Sequence, residues 1–111
     1  MKVSELKERL SAVVAAGHDG IENEIKGCYI GDLLSLAMSK VCEGYVWITI
    51  QTNINIVAVA TLSDAGCIII ADGFTPDENT AQKADAEGIP VLTCNKSAYE
   101  IAKILAELGV Q

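Results

Sequence analysis

Basic residues are scarce in this sequence: eight Lys and Arg stand against fifteen Asp and Glu, a formal charge of −7 over 111 residues. A nucleic-acid binder needs a basic patch to displace counterions from phosphates, and an anionic membrane surface makes the same demand. The densest basic group, Lys2, Lys7 and Arg9, is interleaved with Glu5 and Glu8 and reads as a solvated helix face. Neither nucleic acid nor membrane is therefore expected as a partner. Histidine is nearly absent. His18 alone would have to serve any triad or metal site, and it lies in a Gly-bounded turn with no Ser or Cys beside it. The four cysteines, Cys28, Cys42, Cys67 and Cys94, form no close pair of the kind that zinc ligands make. Cys28, Cys67 and Cys94 fall in apolar runs, where a free thiol packs as a small hydrophobe.

Long uncharged apolar runs are missing as well. The stretch from Tyr45 to Leu62 has no charge, yet Gln51, Thr52, Asn53 and Asn55 sit at its centre, which is poor material for a bilayer span. The first residues, Met1 to Lys7, contain Lys and Glu and no apolar core, so they do not read as a signal peptide. A cytoplasmic location is expected. No Walker-type phosphate loop or Gly-x-Gly-x-x-Gly turn occurs; Lys96-Ser97 matches only the end of the former. No catalytic residue, cofactor or metal ligand is assigned, and the chain reads as a non-catalytic module rather than an enzyme.

What is present is an alternation of helical and strand-like segments. Residues 4–16 read as one helix with Val3, Leu6, Leu10 and Val13 on a stripe and Gly17 as its stop. That stripe is narrow enough to pack on the domain or on a second copy. Strands follow at 25–30, 45–50, 67–71 and 90–94, with helices at 33–40, from Pro76 to Glu87, and from Ser97 to Leu108. Residues 53–62 are ambiguous. Their period-two pattern and β-branched content suit a hairpin turning at Asn53, whereas the α/β alternation requires a crossover there, so we assign a helix. The expected fold is a single α/β domain of three layers, with a mainly parallel sheet of about four to five strands and helices on both faces. Residues 1–24 form an N-terminal helix and turn, and residues 25–111 the core.

In such sheets ligands sit beyond the carboxyl ends of the strands. Polar clusters fall there: Gly31-Asp32, then Gln51-Thr52-Asn53 with Asn55, then Asp72-Gly73 with Thr75, and Asn95-Lys96-Ser97. The candidate ligand-binding set is therefore Asp32, Gln51, Thr52, Asn53, Asn55, Asp72, Gly73, Asn95, Lys96 and Ser97. Two alternatives stay open at this point. Asp32, Asn53, Thr75 and Ser97 also suit helix N-caps. The amide-rich middle cluster either ties loops together or faces a ligand.

Several stretches carry a resemblance: Gly31-Asp32-Leu33-Leu34-Ser35, Trp47 through Ala60, Cys67 through Gly73, Pro76, and Gly88-Ile89-Pro90-Val91-Leu92. Through them, Gly27 to Leu108 resembles the DRTGG domain family and is similar to the N-terminal domain of HPr kinase/phosphorylase. The family's Thr-Gly-Gly position reads Ala71-Asp72-Gly73, and Gln51-Thr52-Asn53 falls in the region of its Asp-Arg pair. The resemblance implies an accessory domain, joined elsewhere to acetyl-transfer enzymes, kinases or nucleotide-sensing domains. The kinase active site lies in a different domain. The middle stretch looks like a stand-alone subgroup from anaerobic bacteria, often near iron-only hydrogenase genes. The expected role is thus a regulatory, ligand-sensing or docking module, acting as a homodimer on a small metabolite or a hydrogenase-related protein. A nucleotide or acyl phosphate is the ligand class to consider. The competing readings are a small thiol enzyme or redox carrier using Cys67 or Cys94, and an assembly factor for a hydrogenase complex.

Overall fold

The computed structural model describes residues 1–111. The elements in chain order are α1 (Val3–Leu10), β1 (Val13–Ala16), β2 (Gly27–Ile30), α2 (Leu34–Lys40), β3 (Tyr45–Thr49), α3 (Asn55–Ser63), β4 (Cys67–Ile70), α4 (Glu78–Glu87), β5 (Val91–Thr93) and α5 (Ala98–Glu107), with a 3-10 turn at His18–Gly20. The five strands form one sheet in the order β1-β5-β4-β3-β2. Strands β2 to β5 are parallel and adjacent in chain order, and β1 pairs antiparallel with β5. The three-layer, mainly parallel α/β architecture is as expected.

Alternation along the strands divides the core in two. Val46, Ile48, Cys67, Ile69, Leu92 and Cys94 face α1 and α5. Trp47, Ile68, Ile70 and Val91 face α2, α3 and α4 on the other side. A central parallel strand covered on both faces must be apolar at every position, and all four residues of β4 are fully buried. Each such Ile stabilises the fold by roughly 1.5–3 kcal/mol.

Residues 53–62 are largely helical, as the crossover argument requires. Ile56, Val57, Val59 and Ala60 of α3 are buried, because this helix lies on the sheet between α2 and α4. Its β-branched content reflects burial rather than strand formation.

The helix expected over residues 4–16 is instead two elements. Helix α1 stops at Leu10, and Val13–Ala16 is an edge strand. Ser11 takes the left-handed conformation, with φ 52°. Its amide donates to the Glu8 carbonyl and the Ala12 amide to the Lys7 carbonyl, a Schellman ending. Glycine usually fills that position, and Ser11 hides the stop. Val3, Leu6 and Leu10 are fully buried against the sheet, so the α1 stripe is consumed within the domain. Gly17 does take a positive φ of 74°, but at the start of the 3-10 turn rather than at a helix end.

Candidate functional site

All ten candidate residues lie along the carboxyl edge of the sheet, but hydrogen bonding separates them into two groups. The first is at the ends of β2 and β3. The Thr49 hydroxyl donates to Asp32 Oδ1 at 2.8 Å and the Ile50 amide to the same oxygen at 2.9 Å. Gln51 Nε2 donates to the Asp32 carbonyl at 3.0 Å, and Asn53 Nδ2 to Gln51 Oε1 at 3.0 Å. Asn53 Oδ1 accepts from the Asn55 amide at 2.9 Å. The Thr52 carbonyl accepts from the Asp77 amide and from the buried Thr80 hydroxyl, anchoring α4. Asp32 is not a helix cap: Leu33 holds that position in α2 and no side chain caps it. The middle cluster therefore ties loops together. Its side-chain amides and the Asp32 carboxylate are engaged within the chain. Asn55 is exposed at the start of α3.

The second group is at the ends of β4 and β5. Here the topology creates a crevice. The chain leaves β4 toward α4 on one face and leaves β5 toward α5 on the other, so the two loops diverge. They are stitched at their base, where the Gly73 amide donates to the Cys94 carbonyl and the Asp72 amide to the Lys96 carbonyl, both at 2.9 Å. Asp72 and Gly73 have φ of 60° and 78°. A non-glycine residue held in this region is backbone strain at a rim. A cavity of about 160 Å³ opens between the loops, lined by Ser11, Val13, Gly73, Thr75, Thr93, Cys94 and Asn95. Ser11, Val13, Thr93 and Cys94 lie outside the polar clusters read from the sequence, and Thr75 was in one of them without entering the candidate set. Ser11 and Val13 enter only because β1 pairs with β5, a contact the sequence does not advertise.

Lys96 and Ser97 serve the scaffold beside this cavity. Lys96 Nζ donates to the Leu10 carbonyl at 3.0 Å, closing the end of α1. Ser97 caps α5: its hydroxyl accepts from the Glu100 amide, and its own amide donates to the Glu100 carboxylate. Those bonds from Ser97 hold the Glu100 carboxyl below its ordinary range. The amino end of α5 is thus occupied by the chain's own carboxylate, and is not an open anion site.

The thiols are unequal. Cys42 is exposed, and Cys67 and Cys94 are buried. Burial pushes the Cys28 thiol up to about 11 and raises that of Cys67 further, which opposes thiolate chemistry at both. Cys94 lines the cavity, with its Sγ 3.8 Å from the Leu10 carbonyl. His18 is exposed in its turn. No helix is long and apolar enough to cross a membrane.

Comparison with known proteins bears on the family and the fold. The sequence profile of the DRTGG domain matches residues 5–108, taking in α1 and β1 as well as the segment from Gly27 onward. The chain belongs to the DRTGG domain family. No curated protein matches it. Among solved structures, this DRTGG domain is similar to the CBS and DRTGG domains of the regulatory region of Clostridium perfringens pyrophosphatase, in complex with the activator diadenosine tetraphosphate. The TM-score is 0.74 at 16% identity, covering 94% of this chain and 45% of that one. The likeness establishes the fold, and the chain spans less than half the length of that structure.

Proposed function

We propose that this DRTGG domain is a non-catalytic regulatory module that takes one end of a small polar metabolite in the crevice between the β4–α4 and β5–α5 loops. The carrying observation is which polar groups are already engaged. Asp32, Gln51 and Asn53 have protein partners, whereas the Asn95 amide and the Ser11, Thr75 and Thr93 hydroxyls at the crevice make no hydrogen bond within the chain. The set of binding residues thereby narrows from ten to those around Asp72, Gly73 and Asn95, with Ser11, Thr75 and Thr93 added. The neutral hydroxyls and amide stand beside the Asp72 carboxylate, and the Lys96 ammonium is already used on the Leu10 carbonyl, so the crevice suits a hydroxylated group better than a naked polyphosphate. A site for a whole drug-sized ligand is usually about 300–1,000 Å³. The crevice is smaller, so the remainder of the ligand lies outside it, over the rim or on another domain or protein. Nucleotides lead the test panel, because the regulatory region of the clostridial pyrophosphatase holds one as activator.

The test is a thermal-shift and calorimetric panel of mono- and dinucleotides, acyl phosphates and coenzyme A. A ligand at a hundred times its dissociation constant adds about 2.7 kcal/mol. Asn95→Ala should abolish the response, and Gln51→Ala should retain it. Silence across the panel, or equal loss in both variants, overturns the assignment.

A further inference from the structure

Strand β1 is the last of the sheet, and a second cavity lies beside it, between α1 and the 3-10 turn. Its volume is about 410 Å³, against about 160 Å³ for the crevice, and the two share only Val13. Sites that take a whole small molecule are usually about 300–1,000 Å³. Helix α1 and the turn are tied together: the Val3 amide donates to the Asn23 carbonyl at 3.0 Å and the Ser4 amide to the Ile21 carbonyl at 2.9 Å. One wall is apolar, made by Ala12, Val13, Val14 and Ile21. Val14 and Ile21 pack on the core that α1 and α5 cover, so this wall is held in place. The other wall is polar. Ser4, Lys7 and Glu8 are three and four residues apart and share one helix face, beside the buried stripe of Val3, Leu6 and Leu10. His18 joins them from the turn. The Ser4 hydroxyl and the His18 imidazole make no hydrogen bond within the chain, and Lys7 meets only Glu8, its exposed neighbour, at 3.3 Å. An exposed pair of this kind is weak and yields to a better-placed anion.

We propose that this cavity is a second binding site, independent of the crevice, and that it takes a small carboxylic acid carrying an apolar chain. The ligand carboxylate accepts from the Ser4 hydroxyl, the Lys7 ammonium and the His18 imidazole, three donors that line one cavity. The apolar chain lies along Val13, Val14 and Ile21 and leaves water there. An amine of the same shape sets its ammonium against Lys7 and has no acceptor at Lys7 or His18⁺. Acetate reaches the donors but covers none of the apolar wall. Glu8 opposes the acid twice, by repelling its carboxylate and by holding Lys7, so neutralising Glu8 strengthens binding.

The experiment is a titration of the full chain with octanoate at neutral pH, followed by calorimetry and by proton NMR of His18, the single histidine of the sequence. Octanoate should shift the imidazole resonances to saturation and bind at least about tenfold more tightly than acetate or octylamine. His18→Ala should weaken octanoate about tenfold, the fold-change of one hydrogen bond to a charged group, and Glu8→Gln should strengthen it. Both substitutions fall at exposed positions, so circular dichroism should register a native fold. Asn95→Ala, in the crevice, should leave octanoate binding unchanged, which keeps this site's test separate from that of the crevice. The absence of a saturable response to octanoate overturns the proposal. So does equal binding of octylamine, undiminished binding by His18→Ala, or weaker binding by Glu8→Gln.

Discussion

Asp32 separates a loop tie from a ligand contact, because its carboxylate is exposed while one of its partners is buried. Removing the carboxylate in Asp32→Ala leaves the Thr49 hydroxyl, in a residue 2% exposed, with no acceptor, although it still accepts from the Gln51 amide. The Ile50 amide is at an exposed position and can turn to water, so its loss contributes little. A hydrogen bond to a charged group contributes about 1.5–3 kcal/mol, and a buried donor left unmade costs about 1–3 kcal/mol. These describe the same lost contact, so the expected destabilisation is about 2 kcal/mol. At about 4–8 °C per kcal/mol for a domain near this size, Tm falls by roughly 8–16 °C. Asp32→Asn keeps an acceptor at Oδ1 and should lose less than half as much. The assay is urea unfolding followed by the fluorescence of Trp47. This single Trp is fully buried, and its indole N–H donates to the Gly31 carbonyl, one residue from the substitution. A double-mutant cycle with Thr49→Val should give a coupling of about 1–2 kcal/mol. If Asp32→Ala lies within about 0.5 kcal/mol of wild type, or lowers ligand affinity while stability stays unchanged, Asp32 belongs to a binding site and the tie is refuted.

Gly17→Ala should destabilise by more than about 3 kcal/mol or prevent folding, as urea titration will show, since a Cβ there meets the Ile89 carbonyl oxygen at 1.9 Å with φ at +74°. Ser97→Ala removes the α5 cap and should cost about 1 kcal/mol by the same titration. Thiol titration of the folded chain at neutral pH should count one fast equivalent, Cys42, with Cys67 released only by denaturant; early labelling of Cys67 would contradict its burial. Burial raises the Cys28 thiol from 9.0 to about 11, so the folded state holds that proton more tightly than the unfolded chain. Its contribution to stability is complete below pH 9 and declines as pH rises toward about 11. A Cys28→Ala variant should show a shallower alkaline loss in urea midpoints.

The sequence by itself determined the alternation of helices and strands from Gly27 onward. Continuous apolar runs such as Cys67–Ile70 fit only a strand covered on both faces, and the crossover rule correctly overrode the β-branched pattern of α3. It also determined that polar residues collect at the carboxyl edge, because the turns of a parallel sheet fall there. Only the tertiary structure decided the rest. The end of α1 was hidden because Ser11 adopts the left-handed conformation that Gly usually signals, and Val13–Ala16 becomes a strand through pairing with β5, about eighty residues away. The same pairing carries Ser11 and Val13 to the crevice. Which polar groups are engaged and which are free depends on partners distant in the chain, as between Asp32 and Thr49 or Thr52 and Thr80. Local spacing carries no record of such distances, so which polar groups find partners was fixed by packing alone.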